Sequence, residues 1–189
     1  FLCSVLYRAG VWMSCADMEG GAPSVKKEIE ALRNMIHIIA GDVCESEFVQ
    51  ALAEKTIENE AQWENWQKNP DNFPSECQRA MDIVGDRISP SDLVSFKMAI
   101  LEISLAIARA YNETFEQKDI GTKMKALTSV WLDRTLARIQ GVGEDRISIY
   151  DEFSISEKEE SALRDLVLVL RADIKEMSEG YHKRLGTMS

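Results

Sequence analysis

The residues of this sequence best suited to chemistry are acids. Asp17, Glu19 and Glu28 fall at positions 1, 3 and 12 of a calcium-loop template. Hard cations take several oxygen ligands, and a Gly-rich turn between helices can bring first-turn and loop carboxylates together. Two positions break the template: Gly21 stands at position 5, and Ala22 stands where glycine makes the sharp turn. With 32 acids in 189 residues, about one chance match to three fixed acidic positions is expected in such a chain. The competing reading is a solvated helix start whose acids complement the helix dipole.

Other motifs carry less. Glu179-x-x-His182 has the spacing of a di-iron carboxylate helix, but such sites need two of these pairs and two further glutamates. Two histidines, His37 and His182, without a cysteine cluster, argue against zinc. His37 lies within an apolar helix and reads as a buried or boundary residue. Gly141-x-Gly143 has neither a following GK[ST] nor a third glycine, so it reads as a loop. The sequence contains no GxSxG, HExxH or kinase signature. Cys3, Cys15, Cys44 and Cys77 show no CxxC spacing and read as small hydrophobes in a reducing compartment. Trp63 and Trp66 stand among acids and amides. They read either as amphipathic anchors on the protein surface or as a partner-binding ridge.

Helices must position all of these residues, because apolar side chains recur at helical spacing almost throughout. Val5, Leu6, Ala9, Trp12, Met13 and Ala16 mark a first helix, with Gly20-Gly21-Ala22-Pro23 as its stop. Ser24 is the expected cap of a second helix carrying Ile29, Leu32, Ile36 and Ile39 up to Gly41. Asp42-x-x-Glu45 reads as a capping box opening a third helix that runs towards Trp66. A loop over Lys68 to Pro74 precedes a short helix from Ser75 to Val84. Ser89-Pro90-Ser91-Asp92 offers a cap, a proline at the first helical position and a first-turn acid. The helix it opens carries Leu93, Phe96, Ile100, Ile103, Ile107 and Ala110, and should be the most buried. A further helix is expected from about Thr122 to Ile139. Ser156-x-x-Glu159 is a second capping box, opening a helix through Leu163, Leu166, Leu170 and Ile174.

The expected fold is an all-α compact bundle of about seven or eight helices. With 10 Gly and 4 Pro, the chain has too few turn residues for a many-stranded β fold. The length favours one domain, and 45% hydrophobic with 29% charged residues is a soluble globular composition. A net charge of −10 argues against nucleic-acid binding, which needs a concentrated basic face. The apolar opening from Phe1 to Cys15 lacks a basic n-region, is interrupted by Arg8, and is too short to span a membrane. The expected location is cytoplasmic. Lys26 to Ile36 also aligns with Glu157 to Val167 at five identities and three conservative pairs, which fits a duplicated helical hairpin.

The string Ala9-Gly-Val-Trp-Met-Ser-Cys-Ala-Asp17-Met-Glu19, followed by Glu28-Ile-Glu-Ala-Leu32, resembles the tellurite-resistance protein B (TerB-like) family. The hallmark of that family is an apolar helix ending in an Ala-Asp-Gly-type acidic turn, then a helix opening with Glu before Ala-Leu. The second half is similar, through Leu105-Ala-Ile-Ala-Arg-Ala110 and Ile155-Ser-Glu-Lys-Glu159-Glu-Ser-Ala-Leu163. Met18 departs from the family glycine, and Tyr111-Asn112 replaces the second acidic turn. The resemblance implies one helical domain over 1–189 built from two related halves, with residues 115–153 an insertion between them. It also implies a non-enzymatic stress-response role towards tellurite, other toxic oxyanions or metals. On the matching positions Asp17, Glu19 and Glu28 would form an acidic cluster between helices, with Glu113 and Glu159 as weaker counterparts.

The expected ligand is a divalent cation, calcium or magnesium, since oxygen-only ligands favour hard ions. The expected partners are that metal ion and other stress-response proteins, with no nucleic acid and no membrane span. The alternative is a metal-free helical interaction module that uses the Trp63/Trp66 face or the acidic surface.

Overall fold

The computed structural model describes residues 1–16, 21–41, 46–110 and 155–173; of residues 21–27 it describes the helical backbone only. The elements run α1 (Leu2–Ala16), α2 (Gly21–Ala40), α3 (Glu47–Glu58), a 3-10 turn (Glu60–Gln62), α4 (Trp63–Trp66), a second 3-10 turn (Pro70–Asn72), α5 (Phe73–Val84), α6 (Pro90–Arg109) and α7 (Glu157–Val169). Among the described residues there is no strand, and the fold is the expected all-α bundle.

Helices α1 and α6 form its centre. From Ser4 to Val11 every residue of α1 is buried, Arg8 and Gly10 included, and α6 is buried almost continuously from Met98 to Arg109. A helix covered on all sides belongs in a core rather than on a surface. Gly10 is the seat of the α1–α2 contact: a Cβ built there would lie 2.4 Å from Leu32 Cδ1. Leu32 is itself 2% exposed, so its side chain has little room to retreat. Gly10→Ala should therefore lose about 1–2 kcal/mol despite alanine's better helix propensity, because overpacking outweighs that gain. Urea melts of Gly10→Ala, Leu32→Ala and the double variant test this: the double should cost at least ~1 kcal/mol less than the sum.

One carboxylate ties two helix starts together. Ser46 caps α3, its Oγ accepting from Val49 N–H at 3.2 Å, and Ser89 caps α6, its Oγ accepting from Asp92 N–H at 3.1 Å. Both hydroxyls donate to Asp92, Ser46 to Oδ1 and Ser89 to Oδ2, each at 2.7 Å. Those hydrogen bonds, Ser46 first and then Ser89, hold the Asp92 carboxyl below its ordinary pKa.

Several boundaries differ from expectation. Gly21-Ala22-Pro23 lies inside the first turn of α2 instead of ahead of it, so Ser24 is not the cap. Proline costs nothing there, since first-turn amides have no intrahelical acceptor. The Asp42/Glu45 capping box falls outside the described residues, and the observed cap of α3 is Ser46. The expected single helix to Trp66 breaks at Asn59. Trp63 Nε1 donates to Thr56 O at 3.0 Å, taking the carbonyl that the residue 60 amide would use in a continuous helix. Helix α5 begins at Phe73 rather than Ser75, with Pro74 in its first turn. His37 is exposed on α2, not buried or at a boundary, because the apolar stripe of that helix passes through Met35, Ile36 and Ile39 instead.

The two aligned segments have matching faces. Ala31, Leu32, Met35 and Ile36 are buried on α2 with Arg33 exposed; Ala162, Leu163, Leu166 and Val167 are buried on α7 with Arg164 exposed. A shared apolar spacing suffices to produce this. The helix expected from Thr122 to Ile139 and the 115–153 segment lie outside the described residues. No helix of the described residues is long and apolar enough to cross a membrane.

Candidate functional site

Ties between helices fix which ends of the bundle lie together. Gln50 Nε2 donates to Ala40 O at 3.2 Å, and Ser46 bonds Asp92, so the end of α2 lies beside the starts of α3 and α6. Helices α2 and α6 pack against each other and run antiparallel, which brings the start of α2 towards the end of α6. Helix α7 ends in a turn in which Ala172 N–H donates to Val167 O at 3.1 Å, with Arg171 at φ 48°. Lys97 Nζ, in the first half of α6, donates to Arg171 O at 3.0 Å. With its end held there, α7 packs on both α6 and α1.

Charge is buried at that shared end and on α7. Glu28 on α2 is 8% exposed, Arg109 at the last turn of α6 is 6% exposed, and Glu160 in the first turn of α7 is 1% exposed. Burying a carboxylate or guanidinium costs several kcal/mol unless an opposite charge or hydrogen bonds compensate it. Part of that compensation for Glu160 is Arg164, one turn along α7. Cys15, on the last turn of α1, belongs to the same end. Burial pushes its thiol pKa up; a hydrogen bond with Ser14 lowers it, and the nearby charges of Asp71 and Glu28 add to the rise.

The five expected acids divide into two groups. Glu28 and Glu159 are described, on α2 and in the first turn of α7. Asp17, Glu19 and Glu113 lie outside the described residues. Glu159 serves its own helix start. Its Oε2 accepts from Ser156 N–H at 2.7 Å while Ser156 Oγ accepts from Glu159 N–H at 3.2 Å. That is the capping box expected from the sequence. It commits one carboxylate oxygen of Glu159 to the backbone. Among the described residues no three His, Cys, Asp or Glu side chains are grouped to hold a metal ion. A cation here would need the acids at 17, 19 or 113 as well.

Glu160 and Arg109 were not among the expected site residues. A signal for Glu160 was present, because it lies three residues before Leu163 on the stripe continued by Val167 and Leu170. Arg109 had none, since it stands off the Phe96-Ile100-Ile103-Ile107 stripe. Its burial follows from α6 being enclosed on every side.

The tryptophans are anchors. Trp63 is 5% exposed, stacks on Tyr7 with ring centroids 4.6 Å apart, and lies beneath the Arg33 guanidinium. Trp66 is half-buried and tilts against the same Tyr7 at 6.0 Å. The Tyr7 hydroxyl accepts from Gln67 Nε2 at 2.6 Å. An exposed aromatic ridge at these positions is thereby excluded.

Of the thiols, Cys3 and Cys15 are half-buried and Cys77 is buried, all three free. Burial pushes the Cys77 thiol up to about 12. At pH 8 its thiolate fraction is roughly a thousandfold below that of an ordinary thiol. Alkylation of the native protein followed by peptide mass mapping should leave Cys77 unlabelled until the fold is melted.

No family model matches the chain, and neither a curated protein nor a solved structure matches it. The class defined by its own geometry is an all-α bundle with charged residues buried among its helices.

Proposed function

We propose that this chain is a non-enzymatic stress-response domain of the tellurite-resistance type, whose working part is the charged bundle end and whose ligand is a divalent cation. The observation that carries the reading is the placement of Glu28. Its carboxylate is buried on the helix that follows the acidic segment Asp17-Met18-Glu19 in sequence. A buried carboxylate with other acids close to it in sequence favours a bound cation, because the cation offsets both desolvation and like-charge repulsion. Glu28 would be the fixed ligand. Asp17 and Glu19 would close on the ion from the α1–α2 connection, with Glu113 and Glu159 as weaker contributors. Calcium or magnesium suits such an oxygen set. The reading assigns no nucleophile or general base, and other stress-response proteins are the partners it suggests.

The test is a thermal melt of chelator-treated protein with and without 1 mM Ca²⁺, Mg²⁺, Mn²⁺ or Zn²⁺. A site of micromolar affinity adds about 4 kcal/mol at that concentration and raises the midpoint by roughly 8–16 °C. The expected result is a shift with calcium or magnesium that disappears in Asp17→Asn/Glu28→Gln. Absence of a shift with every ion overturns the cation site and leaves a metal-free interaction module that works through its acidic surface.

A further inference from the structure

We draw no further inference here: the strongest candidate, the buried charged residues Glu28 on α2, Arg109 on α6 and Glu160 on α7, belongs to the site already described.

Discussion

Arg8→Met should lower the stability of the protein by about 3–5 kcal/mol, a drop in melting midpoint of roughly 6–20 °C. Arg8 is 8% exposed in the middle of the central helix. Nη1 donates to Trp66 O at 2.6 Å and to Lys68 O at 3.1 Å, Nη2 donates to Asn69 O at 3.0 Å, and Nε forms an ion pair with Glu76 at 2.5 Å. Three carbonyls from the end of α4 and the residues after it, and a carboxylate from the first turn of α5, thus converge on one guanidinium. Methionine fills most of the volume but leaves those carbonyls and Glu76 without their donor. Arg8→Lys should recover only part of the loss, because one ammonium cannot match the planar fork that spans three acceptors. Glu76→Gln should cost about 1 kcal/mol, since Glu76 is a third exposed and the carbonyls keep their donor. Urea unfolding of the three variants checks this ordering. A loss below about 1 kcal/mol for Arg8→Met would mean that water replaces the guanidinium cheaply, and the account would fail.

Trp63→Ala is expected to cost a similar amount, about 3–5 kcal/mol, because it empties a buried aromatic site and removes a stacking partner of Tyr7. Trp63→Phe separates the two contributions. It keeps much of the ring contact but removes the Nε1 donor from Thr56 O, for a cost of about 1–3 kcal/mol. Thr56 is itself fully buried, and its hydroxyl is within hydrogen-bonding distance of Cys3 O at 2.6 Å and Leu52 O at 2.8 Å. Water therefore has poor access to the stranded carbonyl. Denaturant melts measure both variants. If Trp63 served a partner instead of the fold, Trp63→Ala would leave the melt unchanged. Trp63→Phe should also leave any cation-induced shift intact, because the ring contacts the first half of α1 through Tyr7 and not the charged end.

Two helix starts were the most legible features of the chain. Ser89-Pro90-Ser91-Asp92 and Ser156-x-x-Glu159 form the caps their spacing announces, since a cap is made by residues three or four apart and needs no distant partner. Helix ends and breaks were less legible. The break at Asn59 depends on Trp63 reaching back to Thr56 and stacking on Tyr7, and the second of these lies on another helix. The seat of Gly10 was likewise visible as a glycine but not as the contact point for Leu32.

The candidate site divides along the same line. Glu28 and Glu159 were marked by sequence alone, through acid spacing and a capping signal. The sequence could not decide that Glu28 is buried, that Glu159 spends an oxygen on its own cap, or that Arg109 and Glu160 are buried. Local pattern determined that this chain is helical and which face of each helix is apolar, because both follow from interactions within about four residues. The tertiary structure decided which charges leave water. Burial is set by what the neighbouring helices cover, and in a bundle whose central helices are enclosed on every side, even an arginine off the apolar stripe is taken inside.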